Sequence, residues 1–238
     1  SMIAVVIGRS GNGGTNGEVQ IYNSQDGTEL TSFNPASNDE FYSVDWSPDG
    51  SRIVIGGDED IWVYETSTWT QNATRNTNRG TINAIAWSPD GKSIAVCEAW
   101  ANNNGARIRM IDYDSMNERW AYSTSTSCND IEFSPDSTQV AGAHTYYQSD
   151  GASIRVFETH ATVANIIDTL AAPRPGGCTS GGGGNNCGSI YGLDWHPDGM
   201  YIISAHGRND EGIYHWKVDP DIDNDGVLNQ DDAFPEEG

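Results

Sequence analysis

The sequence predicts an all-β protein built from repeated four-stranded antiparallel units, and three observations carry that prediction. One phrase recurs four times: Trp46-Ser47-Pro48-Asp49-Gly50, Trp87-Ser88-Pro89-Asp90-Gly91, Phe133-Ser134-Pro135-Asp136-Ser137 and Trp195-His196-Pro197-Asp198-Gly199, spaced 41, 46 and 62 residues apart. A period near 40 residues marks a radial or stacked β array. Glycine is abundant (27 of 238 residues), and 8 Trp, 10 Tyr and 5 Phe are spread along the chain, the punctuation expected of short strands. No stretch carries a clear amphipathic helix; the nearest, residues 162–170, is short and rich in β-branched residues.

Each phrase sits in the same frame. An alternating strand precedes it: Tyr42 to Trp46, Ile82 to Trp87, Asn129 to Phe133, Tyr191 to Trp195. Pro-Asp-Gly then turns the chain, proline presetting φ and glycine accepting a positive φ. A second strand follows: Arg52 to Ile55, Ser93 to Val96, Gln139 to Ala141, Tyr201 to Ile203. After a loop of variable length comes a third: Ile61 to Tyr64, Ile108 to Ile111, Ile154 to Phe157, Ile213 to Trp216. A weaker fourth strand closes the unit, as at Arg119 to Tyr122. These strands are a, b, c and d of a blade.

The units resemble the blades of WD40 and WD40-like β-propeller repeats, whose strand a ends in a similar Ser-Pro-Asp-Gly turn. The resemblance covers residues 3–218 and implies a β-propeller domain. The Trp-Asp dipeptide that names that family is replaced after strand c by Tyr64-Glu65, Phe157-Glu158 and Trp216-Lys217. Residues 3–33 read as strands b, c and d without an a, and residues 190–218 as a, b and c without a d. The expectation is three complete blades and two partial ones, about five blade units. Three explanations of the ends stay open: a piece of a longer propeller, irregular closure of one chain, or two chains completing one ring.

Residues 219–238 form a second region with eight acidic residues and no basic one. Counting from Asp221, carboxylates fall at positions one, three and five (Asp221, Asp223, Asp225). Gly226 takes position six, the Val227 carbonyl seven, Asn229 nine and Asp232 twelve. That is the ligand spacing of an EF-hand calcium loop, in which glycine permits the sharp turn. Asp in place of Glu at twelve, followed by Ala233-Phe234-Pro235 and no helix, resembles a thrombospondin type 3 calcium repeat. The resemblance implies a Ca2+ ion held by Asp221, Asp223, Asp225, Val227, Asn229 and Asp232, and a calcium-stiffened stalk.

Cys178 and Cys187 flank a Gly/Asn-rich insert, where a disulfide restricts unfolded freedom. Cys97 lies late in one strand b and Cys128 just before the next strand a; in a propeller the b–c and d–a loops share a face, so a second disulfide, Cys97–Cys128, is expected. Paired cysteines, the calcium loop and high acidity point to an extracellular or cell-surface, secreted protein. Lys plus Arg total 12 against 34 Asp plus Glu, a formal net charge of -22. Phosphate contacts need a basic face, so nucleic-acid binding is disfavoured. No apolar run approaches the roughly 18 residues of a membrane helix, so direct membrane insertion is not expected.

The long b–c loops gather on one face, where binding usually resides. Trp100, Tyr146 and Tyr147 lie in them, and Glu98, His144 and His206 occupy one shared register position at their base. These six are the candidate ligand-face residues for a protein or glycan partner. No serine triad, phosphate loop or H-E-x-x-H is present, so no catalytic residue is assigned. The expected function is a non-enzymatic scaffold binding partners through its loops. Two alternatives stand beside it: an assembly module in which incomplete blades join homo-oligomers, and a glycan hydrolase or lyase using the channel carboxylates Asp45, Glu132 and Asp194.

Overall fold

The computed structural model describes residues 1–8, 17–36, 39–78, 80–99, 106–145, 153–171, 189–207 and 212–218. These residues form 18 strands in five antiparallel sheets, and no helix. The first blade has three strands, β1 (Met2–Ile7), β2 (Glu18–Asn23) and β3 (Glu29–Phe33). The second has β4 (Phe41–Trp46), β5 (Arg52–Gly57), β6 (Asp60–Glu65) and β7 (Thr70–Asn76). The third has β8 (Ile82–Trp87), β9 (Ser93–Glu98), β10 (Ala106–Asp112) and β11 (Asn117–Thr124). The fourth has β12 (Cys128–Phe133), β13 (Gln139–His144), β14 (Ser153–Glu158) and β15 (Ile166–Ala171). The fifth has three, β16 (Ser189–Trp195), β17 (Tyr201–Gly207) and β18 (Gly212–Lys217). The fold is therefore a β-propeller of three full blades and two three-stranded ones among the described residues.

Each blade packs face to face on the next, which explains the hydrophobic pattern. In β9 and β13 every residue is buried, because both faces are covered by neighbouring blades. The d strand β7 is mostly exposed, as an outer strand should be. Four apolar clusters fill the four blade boundaries. We call the face toward the preceding blade the front and the other the back. Ile53 and Ile55 point to the front of blade two and meet Val19 and Ile21, while Val54 and Val63 point back to meet Ile82 and Ile85.

The Ser-Pro-Asp-Gly turn is a small hydrogen-bonded unit. Ser47 Oγ donates to Asp49 Oδ1 at 2.7 Å and accepts from the Arg52 N–H at 2.9 Å, locking strand a to strand b. Ser88–Asp90 and Ser134–Asp136 repeat it, with hydroxyl to carboxylate distances of 2.6 Å in both. Gly50, Gly91 and Gly199 have φ of 69°, 77° and 75°, and Ser137 takes the same slot at 67°. That left-handed backbone favours glycine and costs an L side chain about 1 kcal/mol or more.

Candidate functional site

Strand a carries a β-bulge at the same place in every complete a–b pair. The register slips between Phe41 and Ser43, Ile82 and Ala84, Cys128 and Asp130, and Ile190 and Gly192. The skipped residues are Tyr42, Asn83, Asn129 and Tyr191. A bulge re-aims the side chain it frees. Asn83 and Asn129 turn to the next blade, their Nδ2 groups donating to the carbonyls of Cys128 (2.8 Å) and Ile190 (2.7 Å). Tyr42 and Tyr191 instead stand exposed on the face bearing the b–c loops.

Tyr42 is the centre of an acidic rim. Its hydroxyl donates to the Glu40 carboxylate and lies 3.4 Å from Asp58 Oδ1. Burial, then Glu40 and Asp58, hold the phenol pKa above its ordinary value. Asp39 beside them is also raised, by burial first and by Asp58 and Asp60. Gly57 is needed beside the rim: a Cβ there would sit 2.7 Å from both the Glu40 carbonyl and the Trp62 ring. Several carboxylates around one phenol make a site suited to a guanidinium or ammonium group, which bonds the oxygens and rests on the ring.

A second acidic group lies among the a strands. Asp45 accepts from the backbone N–H of Trp87 at 2.7 Å, and Asp130 accepts from that of Leu193 at 2.7 Å. Burial raises both carboxyl pKa values, against those hydrogen bonds. Glu132 has no such donor. Burial, with the charges of Asp130, Asp45 and Asp194, pushes its pKa up to about 8, so it holds a proton at neutral pH. Among the described residues no group of three or more His, Cys, Asp or Glu is placed to hold a metal ion.

The shared-register trio expected on the loop face is withdrawn from it. Glu98 is fully buried and accepts from Arg109 Nε at 2.6 Å; Arg109 also pairs with Glu118. His144 is fully buried, and burial with the Arg155 charge pushes its pKa down to about 3. His206 is buried beside Ser204 Oγ at 2.9 Å. All three are buried, so none stands exposed on the loop face. Trp100, Tyr146 and Tyr147 lie outside the described residues, as do Cys178, Cys187 and the loop Asp221, Asp223, Asp225, Val227, Asn229 and Asp232. Cys97 and Cys128 form a buried disulfide that joins β9 to β12 across a blade boundary.

Sequence reasoning passed over Tyr42, Glu40 and Asp58. The available signals were the Tyr four residues before the turn aromatic, where two other blades have Asn, and the acidic run Asp58-Glu59-Asp60 in the shortest b–c loop.

Two family models match the chain. The one described as eukaryotic translation initiation factor eIF2A covers residues 11–165, and the one described as WD domain, G-beta repeat covers residues 178–217. The second agrees with the WD40 resemblance of the blades. No curated protein matches. Neither match reaches residues 219–238, and the thrombospondin type 3 resemblance gains no support from them. The first match overturns the extracellular, secreted location: a translation initiation factor family works in the cytoplasm, which points inside the cell. The acidity behind the earlier expectation serves solubility in any compartment.

Proposed function

The chain belongs to the eukaryotic translation initiation factor eIF2A family, and from that premise we propose that it is a non-enzymatic scaffold that docks a protein partner with a basic surface on the rim around Tyr42. The observation that carries this reading is the bulge that exposes Tyr42 between Glu40 and Asp58 on a rigid stack of blades. A net charge of -22 repels phosphate, so the recognised chemistry is a basic protein segment and not the RNA backbone. Long-range attraction of this kind chiefly speeds encounter and selects partners.

The probe is a labelled Arg/Lys-rich peptide read by fluorescence anisotropy. Tyr42→Ala and Asp58→Asn are expected to weaken it about tenfold. The charge-matched control Asp26→Asn, in the exposed β2–β3 turn, is expected to change it little. Equal losses in rim and control variants would reduce the attraction to net charge and sink the docking site.

Calcium capture at 221–232 belongs to the same proposal on ligand spacing alone. Calorimetry tests it, and a calcium heat unchanged by Asp223→Ala ends it. A second reading has the protonated Glu132 beside the Asp45, Asp130 and Asp194 carboxylates behind it, since acids with separated pKa values suit acid–base work. Turnover of an oligosaccharide panel that Glu132→Gln abolishes would replace the scaffold reading.

A further inference from the structure

Blades three and four share an arginine at one register position, and its surroundings differ. In blade three Arg109 lies opposite Val96, and Glu98, two residues further along β9, accepts from it. Glu118, opposite Ile111, pairs with the same guanidinium. In blade four Arg155 stands at the Arg109 position, opposite Gly142. His144 takes the place of Glu98, and Ile166, opposite Phe157, takes that of Glu118. Arg155 therefore carries the charge without either carboxylate. Among the described residues no ion pair holds it. Its one neighbour across the boundary is the Tyr122 ring, whose centre lies 5.8 Å from the guanidinium carbon.

The groups around Arg155 are buried and unpartnered. Ala143 lies opposite Ile154, which sets His144 beside Ser153. A Cβ on Gly142 would strike Ile108 of blade three, and Phe157 packs on Trp120 of the same blade. Side chains alternate along a strand, so His144, Ser153 and Arg155 also point to the front, into the boundary between blades three and four. His144 is 0% and Ser153 1% exposed. Both ring nitrogens of His144, the Ser153 hydroxyl and Arg155 Nη1 are buried without a hydrogen-bond partner. Folded proteins pair their buried polar groups, so four such atoms on adjacent residues mark the seat of a bound group. His144 supplies no charge there, because burial and the Arg155 charge hold its pKa far below the ordinary value.

We infer that a small free monocarboxylate anion binds here, its oxygens accepting from Arg155 Nη1, the Ser153 hydroxyl and a ring N–H of His144. Guanidinium, hydroxyl and imidazole N–H groups are donors, so the partner they lack is an acceptor, and a carboxylate matches the guanidinium best. The Glu98 carboxylate fills that role for Arg109 in blade three. One negative charge balances Arg155, whereas a dianionic phosphate would leave a second charge unpaired out of water. His144 and Ser153 are shut from solvent, which suits a free acid of a few atoms and not a protein segment. The site lies inside a blade boundary and does not rest on the Tyr42 rim.

Equilibrium dialysis of the full chain against radiolabelled acetate at fixed ionic strength tests the inference. Saturable binding of one acetate per chain is expected, with formate competing for it. Arg155→Met is expected to weaken acetate about tenfold or more, because it removes the charged donor. His144→Glu supplies a carboxylate from the chain itself, as Glu98 does in blade three, and is expected to abolish acetate binding and raise the thermal midpoint. Circular dichroism confirms that each variant is folded, and His144→Glu carries the test by itself if Arg155→Met does not fold. A folded wild-type chain without saturable acetate binding, the result if water alone fills the place, overturns the inference. So does phosphate that displaces acetate more tightly than formate does, or acetate binding that survives in folded His144→Glu.

Discussion

The Asp45 carboxylate accepts the backbone N–H of Trp87 at 2.7 Å, binding strand β4 to strand β8 across a blade boundary that no strand pairing bridges. Ser43 Oγ accepts from the Ile85 N–H at 3.0 Å in the same boundary, and Asp130 repeats the device with Leu193. Side chains thus replace a sheet ladder where the a strands meet.

Asp45→Ala strands the N–H groups of Trp87 and Trp46, which Asp45 satisfies at 2.7 and 2.8 Å. A buried donor left unpaired costs about 1–3 kcal/mol, so a loss in that range is expected in urea unfolding. Asp45→Asn keeps an acceptor and should lose less. The exposed Asp194 makes no comparable bond, and Asp194→Ala should cost little; equal costs at 45 and 194 would refute the bridging role.

Glu98 and Arg109 form a buried pair at 2.6 Å, with the Arg109 guanidinium also on Glu118. Removing one buried partner leaves a desolvated charge, and Glu98→Ala is expected to destabilise by about 3–5 kcal/mol. Chemical denaturation checks it, and a loss under about 1 kcal/mol would show that Glu118 alone satisfies the arginine.

Glu132 carries a pH signature. Its folded pKa is about 8, above the ordinary 4.5, so the folded chain holds a proton that the unfolded chain releases. Its contribution is complete below about 4.5 and is lost as pH rises toward about 8. Glu132→Gln should therefore raise the thermal midpoint at about pH 8.5 and change it little at about pH 4.5. The comparison of the two proteins isolates this residue from Asp45 and Asp130, whose raised carboxyls are present in both. A gap that widens toward acid would contradict the assignment.

Ser137 occupies the glycine slot of its turn with φ of 67°, and its hydroxyl accepts the Asp90 N–H of the neighbouring turn at 2.9 Å. Ser137→Gly relieves about 1 kcal/mol of backbone cost and forfeits a hydrogen bond of about the same value, so near neutrality is expected. Ser137→Ala forfeits the bond without the relief and should lose about 1 kcal/mol. Thermal unfolding of both variants separates the two contributions, and an Ala variant as stable as wild type would deny the bond any role.

The strands and their turns were legible in the linear order of residues because both signals are local. Alternation with period two marks a strand, and Pro-Asp-Gly marks the turn, whatever lies in the next blade. The repeat, its WD40-like character and the strand order within a blade are therefore properties of this sequence by itself. Burial is not. Glu98, His144 and His206 share one register position, and only the packing of adjacent blades and the reach of Arg109 decide that they face inward. Tyr42 and Asn83 occupy one bulge position, yet Asn83 finds the Cys128 carbonyl while Tyr42 stands among carboxylates and solvent. What a side chain meets across a blade boundary depends on residues some 40 positions away, so tertiary structure alone determined which polar groups tie blades together and which stay open to a partner.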